Sequence, residues 1–208
     1  AASDVYKRQA YAGDIKYRDL NGDGVITEQD QRKIGDSNLA EWSYGFFVGA
    51  AYKGLDVKAL FTGVADRDYT YADLNIMAFK NEAGNGNEWG GGSVQKYHWD
   101  NRYNPQDPST WHTARYPRLS LLGGTHNRLD SDFWQDNGDF LRLKTLEIGY
   151  TLPQRWTRKI KISKARVFYT GYNLFTWHNM RIVDPESQPG VCNYPVQKVS
   201  SFGLSLQF

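Results

Sequence analysis

The sequence predicts an all-β fold, an antiparallel β-meander forming the C-terminal part of a large transmembrane β-barrel with long extracellular loops. Three observations carry this. Several segments alternate apolar and polar residues with period two, the strand signature. Aromatic residues make up 15% of the 208 and glycines number 20, yet mean hydropathy is only −0.66. Aromatic side chains suit pleated surfaces, and a barrel strand offers lipid only one of its faces. Finally, no apolar run approaches the roughly 20 residues that a membrane helix needs.

The strands follow in order. Tyr44, Phe46, Val48, Ala50 and Tyr52 alternate with small residues. Lys53-Gly54 reads as a tight turn. Leu55, Val57, Ala59 and Phe61 then alternate with Asp56, Lys58 and Thr62, which makes a hairpin. Residues 65–138 form a long polar stretch, with a short helix expected around 71–80. A third strand is expected over 140–152, with Leu146, Ile148, Tyr150 and Leu152 on one face. Leu141 to Lys144 break that phase, so a bulge is expected near 144. Pro153 ends the strand. A basic connection (Arg155, Arg158, Lys159, Lys161) leads to a fourth strand over 164–175, whose facing the pattern leaves open. The fifth, over 199–208, alternates Phe202, Leu204, Leu206 and Phe208 with Gly203, Ser205 and Gln207.

Connection lengths fit a barrel, with short periplasmic turns and long extracellular loops. With the C-terminus in the periplasm, 53–54 and 153–163 are the short turns, and 65–138 and 176–198 the long loops. About five strands cannot close a barrel, because the smallest need about 8. The rest of the wall is therefore expected upstream. Residues 1–9 (AASDVYKRQ) read as a non-native, adaptor-like scar and are left out of the fold. The organisation expected is then an extracellular loop over 10–38 and barrel segment over 39–208.

Composition excludes several functions. The 25 basic and 23 acidic residues give a net charge of +2, with no footprint for nucleic acid. Cys192 is the single cysteine, so no disulfide forms within the chain. His98, His112, His126 and His178 lack metal-ligand spacing. No nucleophile elbow or phosphate loop is present. An enzyme is not expected.

The sharpest chemical motif is the run from Asp19 to Asp30. It places oxygen donors as an EF-hand-type calcium loop does: Asp19, Asn21 and Asp23 on alternate residues, the Val25 carbonyl, Thr27 through water, and Asp30 at the twelfth position. Asp30 is shorter than the usual bidentate Glu, and the preceding IKYRDL reads as extended. Two readings stand: a structural Ca²⁺ site, or a metal-free loop closed by Asx-turns. Trp89, Tyr97, Trp99, Tyr103 and Trp111 crowd the long loop, either as platforms for sugars and peptides or as the loop's own packing. Phe61, Tyr150, Phe175 and Trp177 lie near strand ends, where girdle aromatics sit. The basic connection reads as a solvated turn.

Five blocks together resemble the closing part of SusC/RagA-type TonB-linked outer-membrane receptors. They are GDIKYRDLNGDGVIT (13–27), YGFFVGAAYKGLDV (44–57), SDFWQDNGDFLRLKTLEIGYTLP (131–153), RVFYTGYNLFTW (166–177) and SFGLSLQF (201–208). The resemblance implies a plugged barrel of about 22 strands in a Gram-negative outer membrane. It implies import of glycan or peptide nutrients (oligosaccharide or peptide cargo), a SusD-like surface lipoprotein as partner, and drive by TonB through a missing N-terminal part. Two alternatives stay open: a secreted, calcium-stabilised carbohydrate-binding β-sandwich, and a siderophore-type receptor.

Overall fold

The computed structural model describes residues 10–71, 78–79, 93–120, 126–187 and 194–208. Its strands are β1 (Trp42–Tyr52), β2 (Leu55–Ala65), β3 (Asp68–Thr70), β4 (Gln135–Asn137), β5 (Phe140–Thr151), β6 (Lys164–His178) and β7 (Val199–Gln207). Five form one antiparallel sheet in the order β1-β2-β5-β6-β7, while β3 and β4 pair separately. The meander is the predicted one, and each of the five long strands falls where the sequence placed it, to within about three residues at either end.

The turn between β1 and β2 is fixed by its residues. Lys53 and Gly54 both have positive φ, 48° and 91°. That is the two-residue hairpin geometry whose twist matches the flanking strands. A Cβ at position 54 would lie 2.7 Å from the Thr151 carbonyl oxygen, so the turn takes Gly for space as well as for φ.

The phase break near 144 is a register shift. The β2–β5 ladder slips between Leu60 and Phe61, and the β5–β6 ladder slips between Leu143 and Thr145. Asn173, opposite this irregularity on β6, sits in the left-handed region with φ 53°. β5 stops at Thr151, before Pro153. The basic connection is not a plain turn: it winds a short helix, Gln154–Thr157, and a 3-10 turn, Arg158–Ile160, closed by Lys161 at φ 56°. Of the helix expected around 71–80, residues 72–77 and 80 lie outside the described residues. A helix that the sequence pattern missed, Lys96–Asn101, lies further along the same stretch.

The chain divides into two compact units. One comprises Asp36–Tyr69, Asp136–Ser187 and Asn193–Phe208 and holds the five-stranded sheet; the other comprises Ala1–Gly35, Thr70–Gln135 and Gln188–Cys192. In the second unit, the rings of His98, Tyr116, Phe133 and Trp134 meet tilted or edge-on, with centroids 4.3 to 6.3 Å apart. Residues 11–17 are tied to this cluster by polar contacts. Asn127 accepts from the Ile15 amide at 2.8 Å and donates to Asp14 at 2.8 Å, and Arg118 Nε donates to Asp14 at 2.6 Å.

Candidate functional site

The sheet separates an apolar surface from one that carries ion pairs. Residues paired across an antiparallel ladder point to the same face. One row runs Val48, Ala59, Leu146, Gly171, the next Ala50, Val57, Ile148, Tyr169, Phe202, and the one after it Tyr52, Leu55, Tyr150, Val167, Leu204. Phe46 stacks on Phe61 with centroids 4.8 Å apart, and Tyr169 packs beside Phe202 at 5.2 Å. This apolar face is open to its surroundings: Phe46, Val48, Tyr52, Phe175, Trp177, Phe202 and Leu204 are all exposed. β1 is exposed along its whole length.

The other face carries the ion pairs, set among Phe47, Leu60, Phe168 and Tyr172. Arg166 Nη2 donates to both Asp56 Oδ2 and Glu147 Oε1, the latter at 2.7 Å, and its Nε reaches Asp56 Oδ1 at 3.1 Å. Lys58 stands 3.9 Å from Glu147. The Arg166 guanidinium lies over Gly149, where a Cβ would fall 2.2 Å from it. Small residues on this face therefore leave room for a long cation. A soluble sandwich buries the apolar face of a sheet; here the apolar face is outward and the ion pairs occupy the other side, the pattern of a barrel wall.

Aromatic residues lie towards both ends of the apolar face. Tyr44, Phe46 and Phe61 lie towards one end with Phe175 and Trp177, whose rings stack at 6.3 Å. Tyr52 and Tyr150 lie towards the other. Tyr44 to Tyr52 is eight residues along β1. At about 3.4 Å per residue this is about 27 Å, or roughly 20 Å along the normal for a strand tilted by about 40°. That is close to the height of a barrel's apolar band.

In the other unit the Asp19–Asp30 loop is closed by its own side chains. Asp19 accepts from the Gly22 and Gly24 amides at 2.6 and 2.8 Å, Asn21 from Asp23 at 2.9 Å, and Asp23 from Val25 at 2.8 Å. Asp30 accepts from the Thr27, Leu20 and Asn21 amides, which ties the two ends of the loop together. Those amides, Thr27 first, hold its carboxyl below the usual range. The Asn21 and Asp23 bonds are Asx-turns of the kind the metal-free reading requires, and the Asp19 and Asp30 bonds close the loop over longer spans. Among the described residues, no three Asp, Glu, His or Cys side chains are grouped as metal ligands. The donor set is nonetheless all oxygen, and its carboxylate oxygens other than Asp30 Oδ1, which already accepts from two amides, keep a further lone pair.

The loop aromatics part company. Tyr103 covers Gly13, where a Cβ would be 2.1 Å from its ring. Tyr97 meets His98 edge-on. Trp99 and Trp111 are exposed; the Arg102 guanidinium lies 3.6 Å over the Trp99 ring, and Trp111 Nε1 donates to the Asn104 carbonyl at 3.2 Å. Trp89 and Cys192 lie outside the described residues.

His98 is the residue whose environment the sequence did not disclose. It is 0% exposed, and among the described residues neither ring nitrogen has a hydrogen-bond partner. Burial pushes its pKa down to about 4. The imidazole is therefore neutral in the fold, while in an unfolded chain it titrates near 6.5. Its contribution to stability is complete above about pH 6.5 and is lost as pH falls towards 4. Amide exchange in Lys96–Asn101, corrected for its intrinsic pH dependence, should accelerate between pH 6.5 and 4.5. The H98F variant should remove most of that acceleration; unchanged acid sensitivity in H98F would assign it to other groups. Asp14 responds only at lower pH: burial alone would raise its carboxyl, but Arg118 and the Tyr11 amide outweigh it and hold it below the usual range.

No family model matches the chain. It is 28% identical over 210 residues to a TonB-dependent receptor of Formosa agariphila, covering 94% of this chain and 20% of that protein. A second TonB-dependent receptor of the same organism is 28% identical over 209 residues, covering 92% and 19%. Among solved structures, the RagAB peptide importer in its closed-closed state superposes with a TM-score of 0.62 at 26% identity, over 91% of this chain and 20% of that one. In its open-open state the TM-score is 0.58 at 24% identity, over 92% and 20%. The chain thus spans about a fifth of the length of these relatives. The resemblance carried by the five sequence blocks is borne out, and these relatives are receptors and an importer, not enzymes.

Proposed function

We propose that this chain is a wall segment of an outer-membrane, TonB-dependent nutrient transporter. The observation that carries the reading is the sheet with its exposed apolar face, aromatic ends and ion-paired opposite face. Lipid satisfies such an outward surface, and a water-filled lumen suits the Asp56–Arg166–Glu147 cluster. The free edges of β1 and β7 pair with further strands of the same wall, since lipid cannot satisfy unpaired backbone groups. The similarity to an importer of peptides supports a peptide or oligosaccharide cargo, taken up with a SusD-like lipoprotein at the surface and with TonB driving from the other side.

The first experiment is to read the source genome upstream of residue 10 in the same frame. A signal peptide, a plug domain and about seventeen further strands, the remainder of a 22-stranded wall, are expected. A start codon or signal peptide immediately upstream would overturn the reading.

The Asp19–Asp30 loop is proposed as a weak structural Ca²⁺ site outside the membrane, with Asp19, Asn21, Asp23, the Val25 carbonyl and Asp30 as ligands. The all-oxygen donor set on alternate residues supports it. Calorimetric titration of the full-length receptor with Ca²⁺ should give a Kd on the order of 10⁻⁴–10⁻³ M, and D19A should abolish the heat. A titration with no heat in the unsubstituted receptor would leave the Asx-turn loop as the whole explanation.

A further inference from the structure

We propose that Arg181–Ser187 is a strap folded back over the ion-paired face of the sheet, so that it narrows the conduit instead of projecting as a free surface loop. The proposal rests on the reading of the sheet as a barrel wall. In the sequence this segment belongs to the long loop after β6, which would ordinarily stand outside. The structure instead ties it to β5 and to the residues just past β2. Arg142, on β5, pairs with Thr62 and Thr176 across the ladders and so shares the face of Asp56 and Lys58. It is 1% exposed, and its Nη2 donates to Asp184 Oδ1 and Oδ2 at 2.7 and 2.8 Å. Its Nη1 stands 3.5 Å from Glu186.

Two further cations reach the same few residues. Lys144, in the irregular stretch of β5, donates to Glu186 at 2.9 Å. Arg67, just past β2, donates to the Pro185 carbonyl at 2.8 Å and to the Ser187 carbonyl at 3.0 Å. Its own amide donates to Asp139 at 3.2 Å, and its Nε to the Asn38 carbonyl at 3.0 Å. Pro185 is fully buried. Arg181 anchors the near end through Asp136, at 2.7 Å. An exposed loop needs none of this. Three cations placed to meet two carboxylates and two carbonyls of one turn are an arrangement for holding it in place. Arg142 is the positioning residue, because it alone is buried beneath the turn.

The test uses the full-length receptor in intact cells, with Cys192→Ser as background and Ser187→Cys as reporter. The readout is the rate of labelling by a bulky, membrane-impermeant maleimide. Labelling should be slow in the reporter receptor and about tenfold faster or more with Arg142→Gln or Asp184→Asn, since each leaves a buried charge unpaired or the turn unheld. Equal rates in the reporter receptor and both variants would overturn the strap. If Arg142→Gln gives no heat-shifting band on gels, the pair Lys144→Gln and Glu186→Gln carries the same test. A rise of about twofold or more then supports the strap, and no rise overturns it. A reporter receptor that itself shows no heat shift overturns the barrel reading, and the strap with it.

Discussion

Placing an arginine at Val48 should destabilise the full-length receptor in phospholipid vesicles by about 2–4 kcal/mol, the cost of that side chain at the midplane of a barrel's lipid face. Val48 lies midway between Tyr44 and Tyr52, and its row continues through Ala59 and Leu146. None of these residues offers a charge or hydrogen bond to the newcomer, and the guanidinium is too deep to reach either interface without dragging water with it. The neighbouring Phe47 provides the control. It is also exposed, at 63% against 54% for Val48, but it points to the ion-paired face. The same substitution there should cost less than about 1 kcal/mol, as solvated surface changes do. Denaturant titration of the refolded receptor measures both. Equal costs would mean that the apolar face does not meet lipid. A greater cost at Phe47 would mean that the faces have been assigned the wrong way round.

The faces were legible in the sequence because alternation is local. Tyr44 to Thr62 reads correctly from period two and the Lys53-Gly54 pair alone. The irregularity near 144 was legible for the same reason, since Leu141 and Leu143 are out of phase with Leu146 and Ile148. β6 resisted, and the structure explains why. Phe168 and Tyr172 share the charged face with Arg166, so apolar rings occur on both sides and the alternation cancels. Phe168 is accommodated there because Gly203 lies beneath it, where a Cβ would fall 2.2 Å from the ring. That accommodation is supplied by the next strand and has no trace in β6 itself. His98 and Asn127 were illegible for a related reason. Asn127 is fixed by Ile15 and Asp14, more than a hundred positions away, and the neutral state of His98 follows from rings contributed by other segments. The calcium-like spacing was plain in the sequence, but the same residues also bond the loop's own backbone amides. Spacing alone cannot choose between the two, because both need short oxygen-bearing side chains on alternate positions.

The second large effect is expected at Asp184. Its replacement by alanine removes both oxygens that Arg142 bonds, leaving the nearest carboxylate 3.5 Å from the other guanidinium nitrogen. Arg142 cannot turn to water from where it lies, with 1% of its side chain exposed, so its charge stays desolvated. Breaking a buried pair from one side typically costs about 3–5 kcal/mol, far more than the pair contributes relative to an apolar replacement. Lys144 and Glu186 form the internal comparison. Their side chains are 37% and 26% exposed, so Lys144→Ala should cost no more than about 1 kcal/mol. Asp184→Asn separates charge from shape, because the amide oxygen can still accept from the Glu186 amide, which now lies 2.9 Å from Asp184 Oδ1. The Asn variant should therefore recover part of the Ala loss, and its remaining deficit is the charge term. A double-mutant cycle with Arg142→Met closes the argument. If the two sites are coupled through a buried ion pair, removing both partners should destabilise the receptor less than removing Asp184 alone. Additive losses would show instead that Asp184 acts through the turn it shapes, and that the buried guanidinium is satisfied by other groups.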